Sequence, residues 1–178
     1  METDNRAMLR LTVAALLGAG IAACSPTFNW RDVRAEPTPL KAVLPCKPDK
    51  ASRQVPMAGR PVELQVLGCE TGGATFAVLH ADLGQPGRSG EALAQWQQAT
   101  LANLRGTVSQ SAAFVPAGAL GLPQSQKVSA SGQRADGSAV QSQAAYFARG
   151  TQVFQAVIYA SQIRPEWADP FFQGLRFE

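Results

Sequence analysis

The chain has a single histidine, His80, and none of its three cysteines lies in a Cys-x-x-Cys pair. A structural zinc site, which takes about four nitrogen or sulfur ligands at closer spacing, is therefore not expected. Charge is scarce as well, at 16% of residues, and no two lysines or arginines are adjacent. The net charge of +3 is scattered. Nucleic-acid binding needs a clustered basic stripe, so it is excluded. No Gly-x-Gly-x-x-Gly pattern and no glycine loop followed by Lys-Ser or Lys-Thr is present. The glycines at 72–73, 87 and 118–121 read as turn residues rather than phosphate loops. No paired acidic motif points to glycoside hydrolysis or a hard-cation site. No apolar run reaches the roughly 20 residues that a transmembrane helix needs. Disorder is excluded too: 46% of residues are hydrophobic, enough to bury a core.

What is present begins at the N-terminus. Arg6 and Arg10 precede a short apolar run from Leu11 to Ala19, the layout of an export signal. Glu2 and Asp4 are unusual in such a leader, which makes Met8 an alternative start. The segment then reads Ile21-Ala22-Ala23-Cys24-Ser25-Pro26. A branched aliphatic, two small residues and a cysteine resemble the lipobox of bacterial lipoproteins. The resemblance implies that the Cys24 thiol takes a diacylglyceryl group through a thioether. A dedicated peptidase would then cut after Ala23, and the new amine would be acylated. Two or three acyl chains anchor stably where one is marginal. Ser25 rather than aspartate after the cysteine implies, by the family's sorting rule, the periplasmic face of the outer membrane rather than the inner membrane. The expected division is a signal peptide (1–23), a lipidated cysteine with tether (24–40) and one domain (41–178). Pro26, Pro37 and Pro39 give the tether its character. Phe28, Trp30 and Val33 are out of place in a pure spacer. Either Trp30 lies at the headgroup interface or docks on the domain, or these side chains are loosely packed.

From Leu40 onward the pattern is mostly that of strands. Lys41–Leu44 is a short apolar run, and 47–58 reads as loop. Val62–Leu67 alternates apolar with polar, Glu70–Gly73 turns, and Ala74–Leu83 returns. Residues 89–105 read as the one long helix, with Ser89 as N-cap. Its stripe of Leu93, Trp96, Thr100, Leu101 and Leu104 is expected to pack on a sheet. Residues 109–126 read as an irregular connection with at most one short strand. Lys127–Arg134, Ala139–Ala148 and the very apolar Gln152–Ala160 form a meander, the last strand central. Residues 165–174 read as a short helix before a closing strand at 175–177. The order of helix, loop with Gly121-Leu122-Pro123, three-stranded meander, short helix and Phe171-Phe172 before the last strand resembles the Mog1/PsbP-like superfamily. That resemblance implies an α+β fold: an antiparallel sheet flanked by one long helix and a short C-terminal helix. Known roles in the family are accessory, binding a protein partner or stabilising a larger complex.

Cys46 and Cys69, 23 residues apart, are expected to form a disulfide, since an exported protein meets an oxidising compartment. His80, near Asp82, reads as a surface or satisfied strand histidine because no partner nucleophile is marked in the sequence. No catalytic residues, metal or cofactor are assigned. The leading expectation is a non-catalytic, lipid-anchored envelope protein that binds or stabilises a protein partner. The alternative is a small-ligand module with a pocket between sheet and helix, lined by Trp96, Phe76 and Phe154.

Overall fold

The computed structural model describes residues 27–178; Cys24 and the expected signal segment lie outside the described residues. The elements run β1 (Arg31–Arg34), β2 (Leu40–Leu44), β3 (Asp49–Met57), β4 (Arg60–Thr71), β5 (Ala74–Asp82) and α1 (Ser89–Leu104). They continue with β6 (Thr107–Ala113), β7 (Gln126–Gln133), β8 (Ala139–Arg149), β9 (Gln152–Ala160), α2 (Pro165–Gln173) and β10 (Arg176–Phe177).

Seven strands form one antiparallel sheet in the order β3-β4-β5-β9-β8-β7-β6, with β9 in the middle. Tight turns join β3 to β4, β4 to β5, β7 to β8 and β8 to β9, while β5 meets β9 across a long separation in sequence. Gly72 and Gly73, both at positive φ, close β4 onto β5. The Arg134–Ser138 turn closes β7 onto β8. Successive side chains of a strand point to opposite faces, so β9 sends Phe154, Ala156 and Ile158 to one side and Val153, Gln155 and Val157 to the other. Both faces are covered. On the first, Phe76, Phe147, Phe154 and Ile158 pack with Phe171 and Phe172 of α2 and with Leu40, Ala42 and Leu44 of β2. On the second, α1 lies against β7, β8 and β9 over Ala144, Tyr146 and Val157.

The α+β expectation is corrected here. Half of the described residues are in strands and 16% in helix, and the strands make two sheets rather than one. The helices are small, 16 residues for α1 and 9 for α2. The second sheet is three-stranded, β1-β2-β10, and it covers the face opposite α1 together with α2. Two segments expected to be irregular are strands. The expected tether contains β1, paired along its length with β2. The expected loop at 47–58 is β3, and the short strand allowed for in the 109–126 connection is β6, which starts two residues earlier. The cause is shared. Nearly every residue of β3 and every residue of β6 is exposed, so neither carries the alternation that marks a half-buried strand.

The helix ends also differ in detail. Arg88, not Ser89, occupies the N-cap, and the Ser89 hydroxyl donates instead to the Gly150 carbonyl at 3.3 Å. At the other end Arg105 adopts the left-handed conformation, and the Gly106 N–H returns to the Leu101 carbonyl at 2.8 Å. Cys46, just past β2, is joined to Cys69 of β4 as a disulfide with a Cα separation of 5.9 Å. The bond thus ties the small sheet to the large one. Among the described residues no helix is long and apolar enough to cross a membrane.

Candidate functional site

Helix α1 is narrower than the sheet that it covers. It sits over β7, β8 and β9, and its approach to β3 is slight. The face of β4 and β5 between those contacts is left as the floor of a cleft of about 510 Å³. That volume lies within the range of small-molecule sites, roughly 300–1,000 Å³. The floor is apolar: Leu64 from β4, Ala77 and Leu79 from β5, and Val157 from β9. One wall is a stripe of α1, Gln95, Ala99 and Asn103, spaced four residues apart with Trp96 and Thr100 beside it. The other wall is the edge strand β3, with Val55 and Met57 inside and Arg53 at the rim.

The cleft is closed at one end. Gln95 Oε1 accepts from the Ala58 N–H at 3.2 Å, and Arg88 donates to the Ala58 carbonyl at 3.0 Å. Together they pin the start of α1 to the β3–β4 turn, and Met57 beneath is buried. Exposed Arg53, Ala99 and Asn103 mark the opening between α1 and β3. Half-buried Tyr159 stands at the end where α1 finishes.

A polar triad lies at the centre. Gln155, 3% exposed in the middle of β9, donates through Nε2 to Thr100 Oγ1 and to the Tyr146 hydroxyl, each at 3.0 Å. Thr100 passes its own hydroxyl hydrogen to the Trp96 carbonyl, also at 3.0 Å. Both amide hydrogens of Gln155 are thereby committed, which fixes the side chain and orients its Oε1 acceptor within the cleft lining. Burial raises the Tyr146 phenol above its ordinary pKa, opposed by the Thr100 and Gln155 side chains beside it. Burial also pushes Tyr159 up to about 12, helped by the nearby Tyr146. Both phenols are thus neutral hydrogen-bonding groups at neutral pH. The cleft combines an apolar bed with fixed neutral polar groups and places no acid–base pair inside it.

The structure divides the residues singled out by sequence. Trp96 lines the cleft, but Phe76 and Phe154 do not. They are fully buried on the opposite face of the sheet, in the aromatic core that includes Phe147, Trp167 and Phe171. One-residue parity explains the error: Phe76 and Ala77 are neighbours in β5 and point to opposite sides. His80 shares the face of Phe76. It packs beside the Phe154 ring at 6.0 Å, and its ring donates to the Glu36 carbonyl. Burial holds its pKa below the ordinary value. The nearby Asp82 carboxylate instead accepts from the Gly84 N–H at 2.8 Å. Gln155 was missed. Its signal in the sequence was a lone glutamine in the middle of an otherwise apolar central strand, where a buried amide requires partners.

Phe28 and Trp30 dock on the domain. Phe28 stacks on Trp167 at 6.1 Å, and Phe28 and Trp30 each approach Phe76 edge-on at 6.4 Å. Trp30 is thus held by the domain face, one of the outcomes open from the sequence. No protein-family model matches the chain, and no curated protein matches it.

Proposed function

We propose that this is a lipoprotein of the bacterial envelope, anchored through Cys24 at the periplasmic face of the outer membrane. Its domain binds a small, largely apolar ligand in the cleft between α1 and the large sheet. The observation that carries the reading is the uncovered β4–β5 floor beside the buried Gln155–Thr100–Tyr146 triad. A solid core would have no need of a fixed amide at that point, whereas a binding site uses a few placed polar groups to orient an apolar guest. Of the two functions expected from sequence, the small-ligand module is the one favoured by this geometry.

The test uses the mature protein extracted in mild detergent. An environment-sensitive apolar dye should bind saturably at one site, and native mass spectrometry should show any co-purified ligand. Ala99→Trp places an indole at the mouth of the cleft from an exposed helix position. It should abolish dye binding while leaving the melting temperature unchanged. Saturable binding that is indifferent to Ala99→Trp, or binding that never saturates, would remove the proposal.

The partner-binding reading keeps one specific support. Strand β6, Thr-Val-Ser-Gln-Ser-Ala-Ala, is an edge strand with every residue exposed. It carries no charge and no proline, the usual guards against strand addition, and only a register shift between Val108 and Gln110 interrupts it. A partner that adds a strand there is expected to be captured by a photo-crosslinker placed at Ser111 in intact cells. Failure to trap any discrete protein would withdraw that reading.

A further inference from the structure

The described chain begins at a point that is already fixed to the domain. The Thr71 hydroxyl donates to the Thr27 carbonyl, and the Asn29 N–H donates to the Pro45 carbonyl at 2.7 Å. Between them, the Phe28 ring lies so close to the Gly72 backbone that a Cβ there would stand 2.7 Å from its edge. Thr27 is therefore held at the β4–β5 turn. Only three residue steps separate it from Cys24. Fully extended, they span no more than about 11 Å.

That turn belongs to one end of the large sheet. Antiparallel register puts the Arg134–Ser138 turn, the chain after Ala160 and the start of β3 at the same end. The Asp82–Arg88 loop is at the other end, a strand length away. The nine residues of β5 make that distance about 30 Å.

We infer that the domain does not hang from the membrane on a flexible tether but stands on it. The end built from the Gly72-Gly73 and Arg134–Ser138 turns is apposed to the lipid headgroups, and the Asp82–Arg88 loop points away. The inference rests on the anchor at Cys24, and it holds whether or not the cleft takes a ligand. The fixed point and the short reach set this orientation rather than charge. Charge at this end is mixed in sign, with exposed Lys47, Arg134 and Arg164 beside exposed Asp49, Asp136 and Glu166. The partner surface is thus the bilayer itself, and zwitterionic lipid suffices. The end of the cleft marked by Asn103 and Tyr159 lies toward the headgroups, and the end pinned at Ala58 lies away from them.

The experiment places spin labels at Ala135→Cys and at Gln85→Cys, both exposed, in the full mature lipoprotein. Each variant is reconstituted in phosphatidylcholine vesicles doped with a nickel-chelating lipid. The label at 135 should relax several-fold faster with nickel than without, and the label at 85 should be unaffected. Equal effects at the two positions, or the reverse order, would overturn the orientation. Mass spectrometry of the N-terminal peptide reports the anchor separately, and a Cys24 without acyl chains would remove the premise. A third variant inserts twenty Gly-Ser residues between Ser25 and Pro26. It should stay vesicle-bound with an unchanged melting temperature but lose the difference between the two labels. A difference that survives the insertion would show that the short tether is not what orients the domain.

Discussion

Replacing Gln155 by leucine should weaken the domain through the loss of two particular hydrogen bonds. Its amide donates to Thr100 and to Tyr146, each at 3.0 Å, in the buried layer where α1 meets β8 and β9. A buried hydrogen bond contributes on the order of 1 kcal/mol net, so Gln155→Leu should cost about 2 kcal/mol. For a domain of this size, that is a fall in melting temperature of roughly 4–8 °C. Tyr146→Phe removes only the bond shared with Gln155 and should cost about 1 kcal/mol. The double variant is the sharper measurement. The shared bond is counted in both single variants, so the pair should cost about 2 kcal/mol rather than 3, a coupling of about 1 kcal/mol. Urea titration at constant m value is the assay, since an altered m would mean that the unfolded or native ensemble had changed. Losses that add to within about 0.3 kcal/mol would refute the reasoning, because contacting partners in one network are expected to couple.

Three further outcomes are expected. Cys46→Ser opens a closure of 23 residues and should cost about 3 kcal/mol by the loop-entropy relation; an unchanged urea midpoint under non-reducing conditions would count against the staple. Gly132→Ala should destabilise by about 1–3 kcal/mol, because its Cβ would press into the Leu104 carbonyl oxygen and the Gly106 Cα where α1 ends against β7, as a melting curve can show. His80 sets a pH dependence whose sign follows from its burial. Its folded pKa is below the ordinary 6.5, so on acidification the unfolded chain takes up the proton first. The neutral ring's stabilisation is complete above about 6.5 and is lost as pH falls through the lower folded value. Melting temperatures measured between about pH 7.5 and 5 should therefore fall for the wild type and flatten in His80→Gln.

The parts of the fold legible in the sequence are those where one strand face is buried and the other is not. The β4–β5 and β7–β8 hairpins, the central β9 and the approximate span of α1 all follow from apolar spacing and turn glycines. The edge strands β3 and β6 bury almost nothing and so have no pattern to read. Strand β1 is only four residues long, Arg-Asp-Val-Arg, and its partner β2 takes its other border, β10, from the far end of the chain, beyond the reach of local reasoning. The candidate site was half legible. Trp96 was placed correctly as a residue between helix and sheet, but Phe76 and Phe154 were assigned to the wrong face. Large aromatic side chains drew the expectation, while the floor is made by the smaller residues beside them in the strands. A width difference between one helix and seven strands is not written in any local window of sequence.

The three-stranded sheet has a consequence for the order in which the molecule can be completed. Its middle strand, β2, is bounded on one side by β1, a few residues earlier, and on the other by β10, where Arg176 stands opposite Lys41. The Arg176–Asp32 ion pair joins positions 144 apart. A chain that emerges N-terminus first has β1 and β2 in hand almost at once, but it must wait for nearly all of its remaining length before the other border exists. Until then Leu40, Ala42 and Leu44 lack the cover that α2 and β10 bring, and Phe147 and Phe154 lack the ring of Phe177. Contacts of such long sequence separation form late, because loop closure must precede the gain. The face that carries Thr27 and Phe28 is thus the last to close, so seating the N-terminal segment belongs to the end of folding rather than to its beginning.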